Sequence, residues 1–304
     1  MPLITEFQNP STNSNIQQIH PSMQFSTSTL LTLALTLVQT ASSLPVCQKR
    51  TSSNDGQSST TPAFSVKSCP ADSALSCSLS DDSSVDTCCY ETPGGVLLST
   101  QFWDYDPPTG PEDAFTLHGL WPDLCDGSYK QYCDSSITVD SAESVLKDFG
   151  ETELLTKMST IWKDYQGNDD DLWTHEFNKH GTCMSTIKPS CYSSDYKEHQ
   201  NAVDYIKKAI ELYDGLPTYK WLAAKGIVPS ETATYTKQQI LDAISENFGH
   251  TAYISCDKKN GLQEVWYFHH LKGNALTGEY VPMDPLADTK CPDSVLTRMH
   301  KKVT

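Results

Sequence analysis

The sequence is poor in basic residues and has no hydrophobic run long enough to cross a membrane. Its 304 residues include 22 Lys and Arg against 38 Asp and Glu, which gives a formal net charge of −16 at pH 7. This balance argues against an extended basic surface, because binding a nucleic acid through many phosphate contacts depends on Lys and Arg displacing counterions. A hydrophobic content of 38% still supplies a core, so wholesale disorder is excluded.

The amino terminus has the pattern of a secretory signal. The apolar stretch at 30–38 is too short for a bilayer span but typical of the centre of a signal peptide, and small residues follow it at 41–43. Residues 1–29 contain no Lys or Arg, and a start at Met23 would supply the usual positive charge through its α-amino group. We predict that residues 1–43 form an N-terminal extension and signal peptide, with Met23 as an alternative initiator.

A basic pair follows the signal, and the cysteine count supports cleavage there. Cleavage after Arg50 would remove Cys47 and leave ten of the 11 cysteines, an even set suited to a secreted disulfide framework. Residues 44–50 are therefore predicted to be a short pro-segment that ends in a dibasic site. Residues 51–68 are a Ser/Thr-rich linker that we expect to take no part in the core, and 69–304 form one domain.

The sequence lacks the paired CxxC motifs that would favour structural zinc. A Cys88-Cys89 doublet and wide spacings elsewhere make five disulfides the better interpretation, although counting alone leaves their pairing open.

Both types of secondary structure are predicted, in separate clusters. We expect strands at 94–103, 114–120, 252–256 and 262–271, and helices at 142–162 with a break near Gly150, at 196–213 and at 237–248. This distribution indicates an α+β fold with an antiparallel β-sheet core and flanking α-helices.

Two segments concentrate reactive side chains between apolar residues. The first, FTLHGLWP at 115–122, reads as a strand that ends at Gly119 and carries His118 on its polar side. The second, LWTHEFNKHGTC at 172–183, would place four groups on one broad face if it is helical; these are His175, Glu176, Lys179 and His180. A zinc protease is disfavoured, because its HExxH motif spaces the histidines by four residues whereas these are five apart.

This set of groups suits metal-independent cleavage of an RNA phosphodiester. Attack by the 2′-hydroxyl needs one base, one acid and cationic groups that stabilise the crowded phosphorane, and two histidines with a lysine supply them.

The two segments also resemble the conserved active-site segments of the ribonuclease T2 family, the secreted acid endoribonucleases of fungi, plants and animals. The resemblance covers about 69–291 and implies that His180 is the base and His118 the acid. Glu176 and Lys179 would stabilise the pentacoordinate phosphate, His175 would bind phosphate, and Trp121, Asp123 and Tyr129 would contact the base, with a mild preference for adenine.

The resemblance further implies a disulfide pattern and a mode of action. The implied pairs are Cys69 with Cys89, Cys77 with Cys125, Cys88 with Cys191, Cys133 with Cys183, and Cys256 with Cys291. RNA would be cleaved through 2′,3′-cyclic phosphates to 3′-phosphate ends, with no cofactor, no metal and no cleavage of DNA. We expect a monomer, secreted or in the vacuolar lumen, that has no stable membrane association after signal removal and works best below neutral pH.

Two other function classes remain open from the sequence. A non-catalytic secreted RNA-binding or cytotoxic protein could use the same fold and disulfides, but it would not need His118, Glu176, Lys179 and His180 together. A secreted metallohydrolase would lose its activity in EDTA and regain it with zinc.

Overall fold

An antiparallel sheet forms the centre of the computed structural model, which describes residues 64–297. Its strands are β1 (Val96–Phe102), β2 (Thr116–Asp123), β4 (Tyr253–Cys256), β5 (Leu262–Lys272) and β6 (Glu279–Met283). Their order is β2-β1-β5-β4, and β6 pairs with β5. Two short strands, β3 (Thr234–Thr236) and β7 (Ser294–Leu296), pair separately. The sheet is antiparallel throughout, so the predicted α+β class is confirmed.

Six α-helices accompany the sheet in the described residues. They are α1 (Ala142–Asp148), α2 (Thr152–Ile161), α3 (Asp169–Lys179), α4 (Gln200–Asp214), α5 (Thr218–Ala224) and α6 (Lys237–Phe248). The break predicted near Gly150 separates α1 from α2, because that glycine has a left-handed backbone with φ of 75°. Helix α4 begins four residues later than predicted, since Glu198 and His199 form a turn in which His199 has a left-handed backbone.

Alternation along the central strands assigns side chains to the two faces of the sheet. In β5, Val265 and Tyr267 pack in one hydrophobic cluster with α6, whereas Trp266 and Phe268 belong to another cluster with the even-numbered residues of β1. Glu264 has the same parity as Trp266, so the strand period of two directs it to that second face. This face carries much of the candidate site.

Strand β2 is longer than the sequence suggested. We predicted that it ends at Gly119, but pairing with β1 continues through Pro122 to Asp123. Proline is tolerated here because β2 is an edge strand, so its missing N–H removes no central ladder bond.

The end of the predicted linker packs on the core, contrary to our expectation for 51–68. Phe64 and Val66 contact the main hydrophobic cluster, and Val66 forms a β-bridge with Tyr192. The Ser/Thr-rich composition of 51–68 gave no indication of this packing, in which two apolar side chains bury surface against the core. The predictions for 1–43 and 44–50, and most of the linker, lie outside the described residues.

Five disulfides connect the described residues, and their pairs match those implied by the family resemblance. They join Cys69 to Cys89, Cys77 to Cys125, Cys88 to Cys191, Cys133 to Cys183, and Cys256 to Cys291. Two of them fix segments near the candidate site, because Cys125 follows β2 and Cys183 lies in the 3-10 turn after α3.

Candidate active site

The two reactive segments meet where edge strand β2 faces helix α3. His118 lies at a β-bulge, since Thr100 pairs with Gly119 and the next residue of β1, Gln101, pairs with Leu117. The extra residue has no partner on β1. A bulge of this kind redirects a side chain that a regular ladder would keep in register.

His118 is held on several sides. Its Nδ1 lies 3.2 Å from Glu264 Oε1, and its Nε2 lies 3.5 Å from Glu176 Oε1. The ring of Phe102 stacks on the imidazole with centroids 3.8 Å apart, and Trp121 meets it edge-on at 4.7 Å. These contacts leave the ring little freedom to rotate.

Glu176 is the central group of the cluster and is almost completely buried. Its Oε2 accepts a hydrogen bond of 2.7 Å from Trp121 Nε1. Burial raises the pKa of Glu176, with opposing contributions from His118 and the Trp121 hydrogen bond. A Cβ at Gly119 would lie 2.0 Å from the same carboxylate oxygen, so only glycine allows β2 to approach this closely.

His180 lies immediately after the last residue of α3, as its C-cap. Its N–H donates a hydrogen bond of 3.0 Å to the main-chain oxygen of Glu176, so His180 continues the helical geometry by one residue and lies one turn beyond Glu176. The His180 ring stacks on Trp121 with centroids 5.0 Å apart, and its Nε2 is 4.0 Å from Glu176 Oε2. Neither ring nitrogen has a hydrogen-bond partner among the described residues. Burial, with the nearby charge of Lys179, lowers the pKa of His180 to about 2.

His175 and Lys179 lie farther out on α3. His175 is exposed, and its Nδ1 is 3.3 Å from the Tyr132 hydroxyl. Desolvation and the charge of Lys179 lower the pKa of His175. The main-chain oxygen of Lys179 accepts a hydrogen bond from the Tyr132 N–H at 2.9 Å, which fixes the loop that carries Tyr132 against α3.

A cleft of about 600 Å³ opens beside the cluster. His118, His175 and Glu176 are among the residues that line it, together with aromatic side chains and several carboxyl groups. Among the latter, Asp104 accepts a hydrogen bond from Thr116, and burial raises the pKa of Asp104 to about 6. An aromatic, polar cleft next to acid–base groups can hold a nucleoside by stacking and hydrogen bonding.

The three residues assigned to base contact are placed differently from one another. Trp121 lies between two of the predicted catalytic residues, because its ring contacts both His118 and His180. Asp123 and Tyr129 are joined by a β-bridge at the far end of β2, where Tyr129 is 60% exposed. Burial raises the pKa of Asp123 to about 7.

Sequence reasoning missed Glu264, Phe102 and Tyr132, all of which contact a predicted site residue. A usable signal existed for Glu264, a lone acidic residue in the apolar strand LQEVWYF. Tyr132 gives no comparable signal, because its contact depends on how a loop folds over α3. Among residues 64–297, no group of three or more His, Cys, Asp or Glu is placed to hold a metal ion.

Comparisons with known proteins give matches to a single family. The model of the Ribonuclease T2 family matches residues 87–285. The chain is 50% identical over 232 residues to Ribonuclease T2-like 1-A of Candida albicans, covering 75% of this chain and 58% of that protein. It is 47% identical over 240 residues to Ribonuclease T2 of Aspergillus oryzae, covering 79% and 86% respectively. The chain thus spans less than three fifths of the Candida relative's length.

Solved structures agree on the fold. The crystal structure of Actibind, a T2 ribonuclease, superposes with a TM-score of 0.74 at 42% identity, covering 78% of this chain and 99% of that one. Human RNase T2 matches with a TM-score of 0.50 at 22% identity, covering 68% and 99%, and supports the fold alone.

Proposed function

Because this chain belongs to the ribonuclease T2 family, we propose that it is an endoribonuclease that cleaves single-stranded RNA by metal-independent acid–base catalysis. One observation carries the proposal: His118 and His180 approach the same buried group, Glu176, at 3.5 and 4.0 Å. A phosphorus atom held beside Glu176 would lie within reach of both. Two-histidine chemistry needs this arrangement, with one ring on the attacking side and one on the leaving side.

The environments of the two histidines favour different roles. His180 is the base in the first step, because its lowered pKa keeps the ring neutral and able to take the 2′-hydroxyl proton in acid. The phosphate of bound RNA brings a negative charge that strengthens this base. His118, which has carboxyl groups at both ring nitrogens, is the acid that protonates the leaving 5′-oxygen. The roles reverse when water opens the 2′,3′-cyclic phosphate and yields a 3′-phosphate.

Three groups of α3 act on the phosphate. Since burial raises the pKa of Glu176, its carboxyl carries a proton in mild acid and donates a hydrogen bond to a phosphorane oxygen instead of repelling it. Lys179 supplies a positive charge, and His175 binds the phosphate at the mouth of the cleft.

The two nucleosides flanking the scissile bond occupy different surfaces. We assign the upstream base to Trp121, Asp123 and Tyr129, with low specificity and a preference for adenine in acid. The downstream nucleoside enters the aromatic cleft beside His118, the proposed acid. DNA is not cleaved, because it lacks the attacking 2′-hydroxyl.

The decisive experiment incubates the purified protein, with its ten disulfide cysteines oxidised, with RNA and with DNA near pH 5 in EDTA. We expect 2′,3′-cyclic phosphate ends from RNA and intact DNA. His118→Ala and His180→Ala should each lose about 10²–10⁴-fold in rate. The matched control is His250→Ala, which removes an exposed histidine paired with Asp284. Full cleavage by either active-site variant would contradict the mechanism, and RNA binding without cleavage would favour the non-catalytic alternative.

The protein is proposed to act outside the cytosol, in the secreted or the vacuolar lumenal space, and as a monomer. Five disulfides support an oxidising compartment. No helix in the described part of the chain is long and apolar enough to cross a membrane. Amino-terminal sequencing of the processed protein should begin near Thr51, and a sequence that begins before Cys47 would contradict the proposed pro-segment.

A further inference from the structure

We propose that Glu264 is a positioning residue that holds His118 in the orientation and tautomer required by both steps of RNA cleavage. The inference rests on the proposed function, because it concerns the histidine assigned there as the acid. Glu264 does not line the cleft, whereas His118 and Glu176 do. Its influence on substrate would therefore pass through His118.

Three neighbouring strands fix the position of Glu264. On β5 it pairs with Phe102 of β1 and with Ser255 of β4. The Ser255 hydroxyl donates a hydrogen bond of 2.9 Å to Glu264 Oε2, and the other oxygen, Oε1, lies 3.2 Å from His118 Nδ1. The carboxylate is thus tied at one oxygen and presents the other to the imidazole. Its side chain is only 16% exposed, which strengthens the interaction relative to a surface pair.

The chemistry of a carboxylate determines which nitrogen of His118 carries the fixed proton. An ionised carboxylate can only accept, so Nδ1 must be the donor to Glu264. The nitrogen that exchanges protons is then Nε2, which lies on the Glu176 side. In the first step Nε2 gives its proton to the leaving oxygen, and the ring remains neutral with the proton on Nδ1. In that form Nε2 is free to take a proton from water in the second step.

Other groups around His118 do not supply this contact. Glu176 approaches Nε2, the nitrogen opposite to Nδ1. Asp104 lies after β1 and interacts with His118 through charge, while its Oδ2 accepts a hydrogen bond from Thr116. His175 and His180, on the α3 side, are imidazoles with lowered pKa values and offer no carboxylate to Nδ1. Phe102 and Trp121 present rings and not charges.

Glu264→Gln separates the charge of this group from its shape. The amide oxygen can still accept from Nδ1, and the amide nitrogen can donate to the Ser255 hydroxyl. We expect kcat to fall about 10-fold, less than the roughly 10²–10⁴-fold that a whole acid–base group contributes. KM should stay within about twofold, since Glu264 lies outside the cleft. The alkaline limb of the kcat–pH profile should move to lower pH, because the imidazolium loses its adjacent negative charge.

Two companion variants separate charge from structure. Glu279→Gln makes the same charge change at an exposed position of β6 and should leave kcat and the pH profile unchanged. Ser255→Ala keeps the carboxylate but releases its second oxygen, so we expect a smaller loss of kcat with the alkaline limb in place.

Several results would overturn the proposal. A Glu264→Gln protein with wild-type kcat and an unmoved limb would contradict it, as would one whose melting temperature falls without a shift of the limb. If the alkaline limb of the kcat–pH profile moves as far in Ser255→Ala as in Glu264→Gln, that result would also contradict the role of the charge. Failure of the wild-type protein to cleave RNA would overturn the proposed function together with this inference, whereas the other outcomes concern Glu264 alone.

Discussion

Trp121 orients two other residues of the candidate site, a structural task that its position in the sequence did not suggest. Its indole N–H is hydrogen-bonded to Glu176, and its ring stacks on His180. Both contacts orient groups assigned to the reaction, in addition to any contact with a base. A hydrogen bond between neutral groups contributes about 0.5–1.5 kcal/mol, so the N–H alone is worth roughly two- to tenfold in rate if it acts on the transition state.

Trp121→Phe tests this task. The variant keeps an aromatic ring for stacking but loses the N–H, so we expect kcat to fall about 10-fold with little change in KM. Steady-state kinetics on a dinucleotide substrate would measure both. Trp221→Phe is the control, because Trp221 packs edge-on against Tyr267 in another cluster. A higher KM at unchanged kcat would instead assign Trp121 to base binding alone.

The protonation of Asp123 connects base preference to pH. Burial raises the pKa of Asp123 to about 7, so the carboxyl is neutral in acid and ionises as pH rises. A neutral carboxyl offers one donor and one acceptor, which complements the N1 and amino group of adenine. An ionised carboxylate only accepts, which favours the two donors on the edge of guanine.

We therefore expect the ratio of cleavage after adenine to cleavage after guanine to fall between pH 5 and pH 8. Competition between ApU and GpU would measure that ratio directly. In Asp123→Asn the ratio should no longer change with pH, because an amide does not titrate. A wild-type ratio that is constant across this range would rule out Asp123 as the discriminating group.

At the scale of elements, helix periodicity and strand alternation predicted most of the fold, and the two motifs predicted the site segments. Helix α6 matches its predicted bounds, since an amphipathic run ended by Gly249 is a purely local signal. The bulge at His118 could not be predicted, because it depends on how β2 pairs with β1. The contact from Glu264 to His118 likewise depends on packing between distant segments. The reactive groups could be identified from the sequence, whereas their arrangement depends on tertiary structure.

Two of the disulfides stabilise different parts of the molecule, one near the candidate site and one away from it. Cys133–Cys183 links the loop after Tyr132 to the turn after His180, whereas Cys256–Cys291 ties β4 to the carboxyl-terminal region. Their sequence separations are 50 and 35, so loop-closure entropy gives each a similar contribution of about 4 kcal/mol.

Replacing either pair by serines should lower the melting temperature by a similar amount. Only the Cys133–Cys183 replacement should also reduce kcat, by about 10-fold, when both proteins are assayed well below their melting temperatures, because small displacements of catalytic groups are costly. Calorimetry and kinetics on the same samples would measure the two effects. Equal kcat in both variants would show that α3 and its turn need no such restraint.

For the whole molecule, buried titratable groups set the response of stability to pH. Burial raises the pKa of Asp104 and Asp204 to about 6 and that of Asp123 to about 7, and it also raises the pKa of Glu91 and Glu176. Between about pH 4 and these values the folded state holds protons that the unfolded state releases, so stability falls as pH rises. Three histidines with lowered pKa act in the opposite direction below about pH 6.5; they are His175, His180 and His269.

Since five carboxyl groups outnumber three histidines, we expect a higher melting temperature at pH 5 than at pH 7.5. Thermal unfolding followed by circular dichroism across this range would test it. Asp204→Asn removes one of the five groups at a distance from the proposed site and should reduce the difference between the two temperatures. A melting temperature that is higher at pH 7.5 would contradict the sign. The net charge of −16 works in the same direction, because self-repulsion weakens as carboxylates protonate.

The extra residue in β2 also bears on how such an enzyme could lose its activity. Because Leu117 and Gly119 already pair with successive residues of β1, deletion of codon 118 would close the bulge and leave every other pair in register. The product would keep its ladder pairs and its disulfide cysteines while losing the proposed acid and the main-chain oxygen that accepts a hydrogen bond from Trp162 Nε1. A catalytically silent descendant therefore lies one three-nucleotide deletion away, provided that another acceptor is found for the buried Trp162 N–H.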